Sequence, residues 1–389
     1  MDVSNPAKKL KVDHVEEYSL RCNDTPEQEL TSSPIVQNGK PTDVQNGKSD
    51  EQNFEKFVDE EYFSSYADTE VHRTMIEDQV RTDAYHKAIM QDPSFVKDKI
   101  VCDVGCGSGI LSLFCAQAGA KKVYAIEASQ IAMLAKKSVI ANGFEDIITV
   151  LEGRAEDVEL PEKVDVIVSE WMGYMMLYET MLPSVLHIRD KWLKPGGVMF
   201  PERAVLKVAM GEASWITKYE ENTYDFWIAL NPMYGLDMTL FADHAVEKYS
   251  EYAHVFMMPQ KDVLSLPATV CDFDLNTVTA EQLLSVKADI KLSSMGSRRL
   301  NCLVFWFDVF FPGGVKLSTS PDLEDTHWQN TVLPLPPTKV VQDTAFSGEV
   351  TIAQHKKRSL DIRLRYCVGD SEKMLSKRYR LDENCTEFE

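Results

Sequence analysis

The stretch that decides the fold runs from Ile100 to Glu127. It opens on Ile100-Val101-Cys102-Asp103-Val104, turns through Gly105-Cys106-Gly107-Ser108-Gly109, and continues as an apolar run from Ile110 to Ala118. After Gly119 a second short run, Val123-Tyr124-Ala125-Ile126, stops at Glu127. A buried strand, a glycine turn, a helix and a second strand tipped by a carboxylate make a βαβ unit that holds a nucleotide.

The glycine spacing narrows the ligand. The dinucleotide fingerprint places its third glycine where this chain has Ile110; the glycines here are Gly105, Gly107 and Gly109. That third glycine lets the helix crowd the strand beside a pyrophosphate, so its displacement disfavours NAD and FAD. Glu127 at the strand tip accepts both hydroxyls of an unmodified ribose. Asp103 and Glu156 are expected to add negative charge to the same rim, which suits a cationic nucleoside and repels pyrophosphate. S-adenosylmethionine, a sulfonium, is the cofactor that fits.

Downstream the alternation continues. Ile147 to Leu151 reads as a third strand and Val164-Asp165-Val166-Ile167-Val168 as a fourth, running into Ser169-Glu170-Trp171-Met172-Gly173-Tyr174. A helix through Leu182, Leu186 and Trp192 is expected to end at Lys194-Pro195-Gly196-Gly197, before a strand at Val198-Met199-Phe200. Strands and helices in this order predict a parallel, doubly wound sheet. Beyond Pro201 the texture changes. Trp215, Tyr219, Tyr224, Phe226, Trp227, Tyr234 and Phe241 crowd one polar insertion, which suggests an interface. Leu303 to Phe311 is nearly all β-branched or aromatic, and Leu360 to Tyr366 alternates, so a second, antiparallel β domain follows.

Upstream, Val71, Met75, Val80, Ala84, Tyr85, Ala88 and Ile89 recur at helical spacing and predict one amphipathic helix from Glu70 to Gln91. An aromatic cluster, Tyr62-Phe63-Ser64-Ser65-Tyr66, precedes it. Residues 1–55 are polar and almost without aromatics, a composition too poor in apolar surface to offset chain entropy, so a disordered tail is expected. Within it Pro6-Ala7-Lys8-Lys9-Leu10-Lys11-Val12-Asp13 reads as a nuclear-import signal or, equally well on pattern alone, as a few solubilising lysines.

The bulk numbers are consistent with this layout. At 389 residues, a prior of roughly 150 per domain suggests two or three domains. No apolar h-region opens the chain and no run approaches the roughly 18 residues of a membrane span, so neither a signal peptide nor a membrane segment is expected. Eight scattered cysteines form no CxxC pair and no zinc spacing, which predicts reduced, mostly buried thiols and no metal. The net charge of −20 argues against direct nucleic-acid binding and suits a basic polypeptide partner.

The methyl acceptor is written after the fourth strand. Glu170 and Glu179 lie at the carboxyl end of the sheet, where α/β proteins bind ligands. A pair of carboxylates there suits a guanidinium, which is permanently charged and matches carboxylates through forked hydrogen bonds. Setting a guanidinium against a sulfonium joins two cations, so the pocket must carry compensating negative charge. Of two other readings of the fold, a small-molecule methyltransferase leaves the glutamate pair and the β domain without a use, and a non-catalytic cofactor-binding protein predicts degraded catalytic positions where these are intact.

From about Tyr62 onward the chain resembles the protein arginine N-methyltransferases. The resemblance rests on Tyr62-Phe63-Ser64-Ser65-Tyr66, Arg81-Thr82-Asp83-Ala84-Tyr85, Val104 to Gly109, Ser169 to Tyr174, and Thr326-His327-Trp328. Phe310-Phe311-Pro312-Gly313-Gly314, Leu317 to Pro321 and Ser347 to Thr351 narrow it to one subfamily. The fold so implied is a Rossmann-like, S-adenosylmethionine-binding domain at 56–200, then a β-barrel-like domain at 201–389 bearing a helical dimerisation arm at about 213–243.

The resemblance also implies roles. Glu170 and Glu179 match the pair that clamps the substrate guanidinium. Arg81 matches the arginine that pairs with the methionine carboxylate of the cofactor, with His72 near by. Gly105 and Gly107 sit under the cofactor with Asp103, Glu127 takes the ribose, and Glu156 faces the adenine amino group. Asp78 and His327 match a pair that removes the proton released on transfer. Tyr66, Met75, Met181 and Trp328 line the arginine channel. Met75 and the intact Thr326-His327-Trp328 resemble the type I members, which make asymmetric dimethylarginine; in the symmetric class a Phe replaces the methionine. A homodimer through the aromatic arm, Arg-rich substrates such as histone tails, a chromatin and transcription role, and a nuclear location with a cytoplasmic share follow as expectations.

Overall fold

The computed structural model describes residues 59–371 and 373–382. The tail expected at 1–55, with its basic island, lies outside the described residues.

Residues 59–65 are helical and lead into α1 (Thr69–Glu77) and α2 (Gln79–Gln91). The single helix predicted over 70–91 is therefore broken. Asp78 leaves helical geometry (φ −66°, ψ 93°), and its carboxylate caps α2 by accepting from Arg81 N at 2.9 Å. Aspartate favours such a cap over a helix interior, because its side chain competes for nearby backbone N–H groups.

The first sheet is parallel throughout, in the order β3-β2-β1-β4-β5. Its strands are β1 (Ile100–Val104), β2 (Lys122–Glu127), β3 (Ile148–Glu152), β4 (Val164–Val168) and β5 (Leu193–Phe200). Helices α3 (Ile110–Gln117), α4 (Ala132–Ala141) and α5 (Leu182–Trp192) connect them. The stretch expected to turn at residues 194–197 is already extended, and its pairing with β4 shifts register between Val164 and Val166. The strand order reverses between β1 and β4, and a crevice opens at such a switch point beyond the strands' carboxyl ends. The glycine turn and Glu170 both stand there.

After Pro201 the pairing becomes antiparallel. Strands β7 (His254–Phe256), β12 (Asn330–Val340), β10 (Arg298–Phe310), β6 (Arg203–Gly211) and β8 (Ala268–Asp274) form one path, with β11 (Lys316–Ser318) beside β10. A four-stranded sheet joins β15 (Leu375–Leu381), β14 (Leu360–Val368), β13 (Ala345–Gln354) and β9 (Ser285–Ser293), the last preceded by a short α8 (Ala280–Leu284). One apolar core runs from Ile167 and Phe200 in the parallel sheet to Phe305 and Ile352 in the antiparallel ones. Each such side chain contributes about 1.5–3 kcal/mol by leaving water, so the two parts stiffen one another.

The aromatic insertion is a helical hairpin of α6 (Ser214–Tyr234) and α7 (Thr239–Ser250). Its base is welded to the β sheet: Tyr219 stacks on Tyr249 at 3.8 Å and Tyr249 on His254 at 4.0 Å. Its far end is bare, with Met233, Leu240 and Phe241 more than half exposed. Among the described residues no helix is long and apolar enough to cross a membrane.

Candidate active site

A cavity of about 310 Å³ opens at the carboxyl ends of β1, β2 and β4. Nearly every site residue expected from sequence lines it. The first wall holds Gly105, Gly107, Glu127, Glu156 and Met181; the second holds His72, Met75, Arg81, Glu170 and Glu179. Tyr66, His327 and Trp328 complete the mouth.

The first wall suits a nucleoside. Gly105 has φ +71°, a conformation that residues with a side chain rarely adopt, so the turn favours glycine here and keeps its backbone bare to the cavity. The Glu127 carboxylate is fixed by two backbone amides, Gly107 N at 2.8 Å and Ser129 N at 2.7 Å. One lone pair on each oxygen is left for a diol. Glu156 accepts from Ser184 Oγ at 2.5 Å and lies 3.5 Å from Arg154 Nε. Burial pushes its carboxyl up, but Ser184, its own amide and Arg154 outweigh this and hold it below the ordinary glutamate value. An anionic rim that accepts from ribose hydroxyls is what a sulfonium nucleoside requires, so these residues fit S-adenosylmethionine.

Asp103 does not belong to that rim. It is fully buried beneath the turn, accepts from Ser112 Oγ at 2.6 Å, and its other oxygen has no partner. Burial, opposed by Ser112, raises its carboxyl to about 7. Both faces of a central parallel strand are covered, so a residue just before the turn points into the core.

The second wall carries the paired carboxylates in two different settings. Glu170, two residues past β4, takes both Nε and Nη2 of Arg81 on Oε2, at 3.0 and 2.9 Å, and Met172 N on Oε1 at 3.2 Å. Glu179 accepts from two phenols on Oε2, Tyr66 at 2.6 Å and Tyr62 at 3.1 Å. Burial raises the Glu179 carboxyl; the two tyrosines pull it back, neighbouring Glu170 pushes it further, and the net shift is upward. The loop between them is strained, with Met175, Met176, Glu179 and Thr180 all at positive φ. Such backbone persists only where its surroundings enforce it. Arg81 also donates from Nη1 to the Met75 carbonyl at 3.2 Å, which sets Met75 beside the pair.

Asp78 does not line the cavity; it stands behind His327. Its Oδ2 lies 2.7 Å from His327 Nδ1 and accepts from His327 N at 2.9 Å. Burial raises the Asp78 carboxyl, but His327 and the Arg81 amide more than reverse this, and its net shift is downward. With Nδ1 donating to a carboxylate, Nε2 is left to exchange a proton. Trp328 is fixed by donating from Nε1 to the Met172 carbonyl at 2.8 Å.

Sequence reasoning missed Arg358. It comes from the β13–β14 connection, its guanidinium lies 4.1 Å from the centre of the Tyr62 ring, and it donates to the Glu179 carbonyl at 2.9 Å. A separation of 179 residues leaves no local signal. Tyr62 carries a signal, since it opens the aromatic cluster with Tyr66, but its reach to Glu179 across 117 residues has no local mark. Among the described residues no cluster of three His, Cys, Asp or Glu could hold a metal.

Comparison with known proteins agrees with this geometry. A family model described as the arginine methyltransferase oligomerization subdomain matches residues 204–371, and one described as ribosomal protein L11 methyltransferase matches residues 50–229. Protein arginine N-methyltransferase 6 of Danio rerio is 44% identical over 320 residues, covering 80% of this chain and 90% of its own. The Xenopus laevis protein of the same name is 42% identical over 318 residues, covering 80% and 92%. That is the subfamily the barrel segments resemble. Among solved structures, the Trypanosoma brucei PRMT1 enzyme-prozyme heterotetrameric complex with AdoHcy superposes with a TM-score of 0.75 at 33% identity, covering 82% of this chain and 100% of that one. Identity at this level, sustained along nine-tenths of a relative's length, means that the chain belongs to the protein arginine N-methyltransferases, enzymes that draw their methyl group from S-adenosylmethionine.

Proposed function

We propose that this enzyme is type I, making monomethyl and then asymmetric dimethylarginine on basic nuclear proteins, histone tails among them. The observation that carries the reading is the pair Glu170 and Glu179, two carboxylates on one cavity wall whose partners differ.

The bound cofactor supplies an electrophilic methyl on a sulfonium. The chain's own residues do the rest. Glu127 and Glu156 hold the nucleoside and Arg81 its carboxylate, a second use for the guanidinium that otherwise pairs with Glu170. Glu170 and Glu179 grip the forked guanidinium of the substrate through charge-assisted hydrogen bonds. They draw its positive charge toward the held nitrogens and leave the third with more lone-pair character for attack. Lysine offers no fork and is refused on geometry. His327, oriented by Asp78, takes the released proton at Nε2. Tyr66 and Trp328 exclude water from the channel, and Met75 with Met181 leaves room for a nitrogen that already carries one methyl.

The assembly is a homodimer through the arm, a reading supported by the bare apolar end of the hairpin and by the family model over the β domain. The net charge of −20 supports basic partners, and a role in chromatin and transcription follows from them. The Lys-rich island at 6–13 supports delivery to the nucleus, with a share left in the cytoplasm; unchanged nuclear accumulation after deletion of residues 6–12 would count against it. The product class is read by hydrolysing a methylated substrate and separating the arginines. Asymmetric dimethylarginine is expected, and mainly symmetric or only monomethyl product would contradict type I.

A further inference from the structure

The chain carries a net charge of −20, yet one exposed face of its β domain is lined with arginine. Along β14 the buried Ile362, Leu364 and Tyr366 alternate with exposed Arg363 and Arg365. β15 repeats the pattern, with Arg378 and Arg380 exposed on either side of buried Tyr379. The register sets Arg363 directly opposite Arg378, and Thr351 of β13 and Lys287 of β9 continue the row. Like charges directly opposite on neighbouring strands destabilise a sheet. Lys287 has Glu349 at 2.8 Å and Arg380 has Asp382 at 3.9 Å. The side chains of Arg363, Arg365 and Arg378 make no ion pair among the described residues. The fold gains nothing internally from this row, so its counterpart comes from outside the fold.

A guanidinium fork matches carboxylates and phosphates alike. Three features favour the carboxylates of a polypeptide over nucleic acid. The aromatic residues of these strands, Phe346, Tyr366 and Tyr379, are all buried, so no ring is offered for a base to stack on. Asp289, Glu349 and Asp361 share the face by register and interrupt it, which a continuous phosphate backbone would meet as repulsion. An extended peptide shows alternate side chains to one side about 6.8 Å apart, the same repeat that separates Arg363 from Arg365. The face is also close to the chemistry. β14 starts two residues after Arg358, which lines the cavity, and Arg363 lies within about 18 Å of it along the chain.

We propose that this face docks an acidic segment of the substrate polypeptide while the arginine to be methylated occupies the cavity. Arg363 and Arg378 form its centre, and Arg365 flanks them. Substrates selected in this way join an arginine-rich stretch to a carboxylate-rich one a few residues away. The surface as a whole is acidic and attracts the basic stretch; this face is where the acidic one is held. Arg363 and Arg378 act on specificity alone, away from the reacting atoms. The inference names the substrate class of the site proposed above and rests on that reading.

The test offers the full chain an Arg-rich peptide, plain or extended at either end by a run of glutamates behind a Gly/Ser spacer of about eight residues. Net charge alone predicts that the extension weakens binding, because a chain of −20 repels it. With the face as a dock, one extension is instead expected to lower KM about fivefold at unchanged kcat, the return of a few exposed charge pairs. Arg363→Gln/Arg378→Gln removes that advantage and leaves the plain peptide's kinetics as in wild type. Arg363→Lys/Arg378→Lys, which keeps the charge, retains most of it. Both variants are expected to melt at or above the wild-type temperature with the glutamine pair, and near it with the lysine pair, since the first relieves a like-charge contact. Extensions that raise KM or leave it unchanged in wild type, or an advantage that survives in Arg363→Gln/Arg378→Gln, overturn the docking. So does a single-stranded oligonucleotide that binds wild type but not that variant while the glutamates give no advantage; the face then belongs to nucleic acid. The plain peptide with lysine in place of arginine separates the two claims. If it is methylated as fast as the arginine peptide, the clamp fails and the docking with it; if arginine selectivity stands and the extension changes nothing, the docking alone fails.

Discussion

Glu170 and Glu179 are the same chemical group in two electrostatic settings. Glu170 pairs directly with a permanent cation, Arg81, whereas the Glu179 carboxylate is held by two phenols, and these with Arg358 stabilise its anion less than burial and Glu170 destabilise it. The sign follows directly. A carboxyl with a raised pKa takes up its proton at higher pH than an ordinary glutamate, and a clamp needs the anion. On the acid side kcat/KM for an arginine peptide therefore falls before an ordinary glutamate would protonate. Tyr66→Phe removes a hydrogen bond that holds the Glu179 carboxyl down, so the acid limb moves to still higher pH. A pH–rate profile reads this, and a limb that stays put or moves lower contradicts it. At this scale the sequence was legible where a residue type stood at a strand tip, as for Glu127, which lines the cavity with its carboxylate fixed by two backbone amides. It was misleading for Asp103, where adjacency to the glycine turn suggested a rim and the pleat of a doubly covered strand turned the side chain inward.

Elements were legible where the period was long and the punctuation strong. The βαβ unit follows from a five-residue apolar strand, three glycines and a helix, all inside 28 residues. The break at Asp78 was not legible, because the apolar spacing continues through it and only the cap betrays it. Asp78 does three jobs: its backbone N–H closes α1 on the Thr74 carbonyl, one carboxylate oxygen starts α2, and the other orients His327. Asp78→Ala is expected to lose about 1 kcal/mol of stability as a missing N-cap, and about a hundredfold in kcat as a misaligned base. Urea denaturation reads the first and steady-state kinetics the second. A variant that loses stability but keeps kcat would leave Asp78 as a cap alone. The ion pairs of Asp59 show the opposite limit of sequence reading. Asp59 pairs with Arg154 and Arg358, 95 and 299 residues away, and no local pattern joins them.

Across the whole molecule, one core links the parallel and antiparallel sheets, and the arm stands out from it with its apolar end in water. Leu240 is 78% exposed, so Leu240→Glu costs the single chain little, within about 0.5 kcal/mol. It places a charge in the middle of any surface the arm buries. Light scattering is expected to show the wild-type assembly giving way to a smaller species at an unchanged melting temperature; an unchanged mass would remove the arm from the interface. The layout of two parts and an arm could be read from the change of texture at Pro201 and the aromatic density after it. Which aromatics weld the base and which stay bare depended on the β sheet beneath them.

The central claim is that two carboxylates on one wall select a guanidinium for methyl transfer. Labelled S-adenosylmethionine offered to the full chain with an Arg-rich peptide, and with the same peptide bearing lysine, tests it most directly when run beside Glu170→Gln. Label is expected on the arginine peptide, none on the lysine peptide, and a rate at least about a hundredfold lower for the variant. Methylation by Glu170→Gln at the wild-type rate, or equal labelling of the lysine peptide, would contradict it.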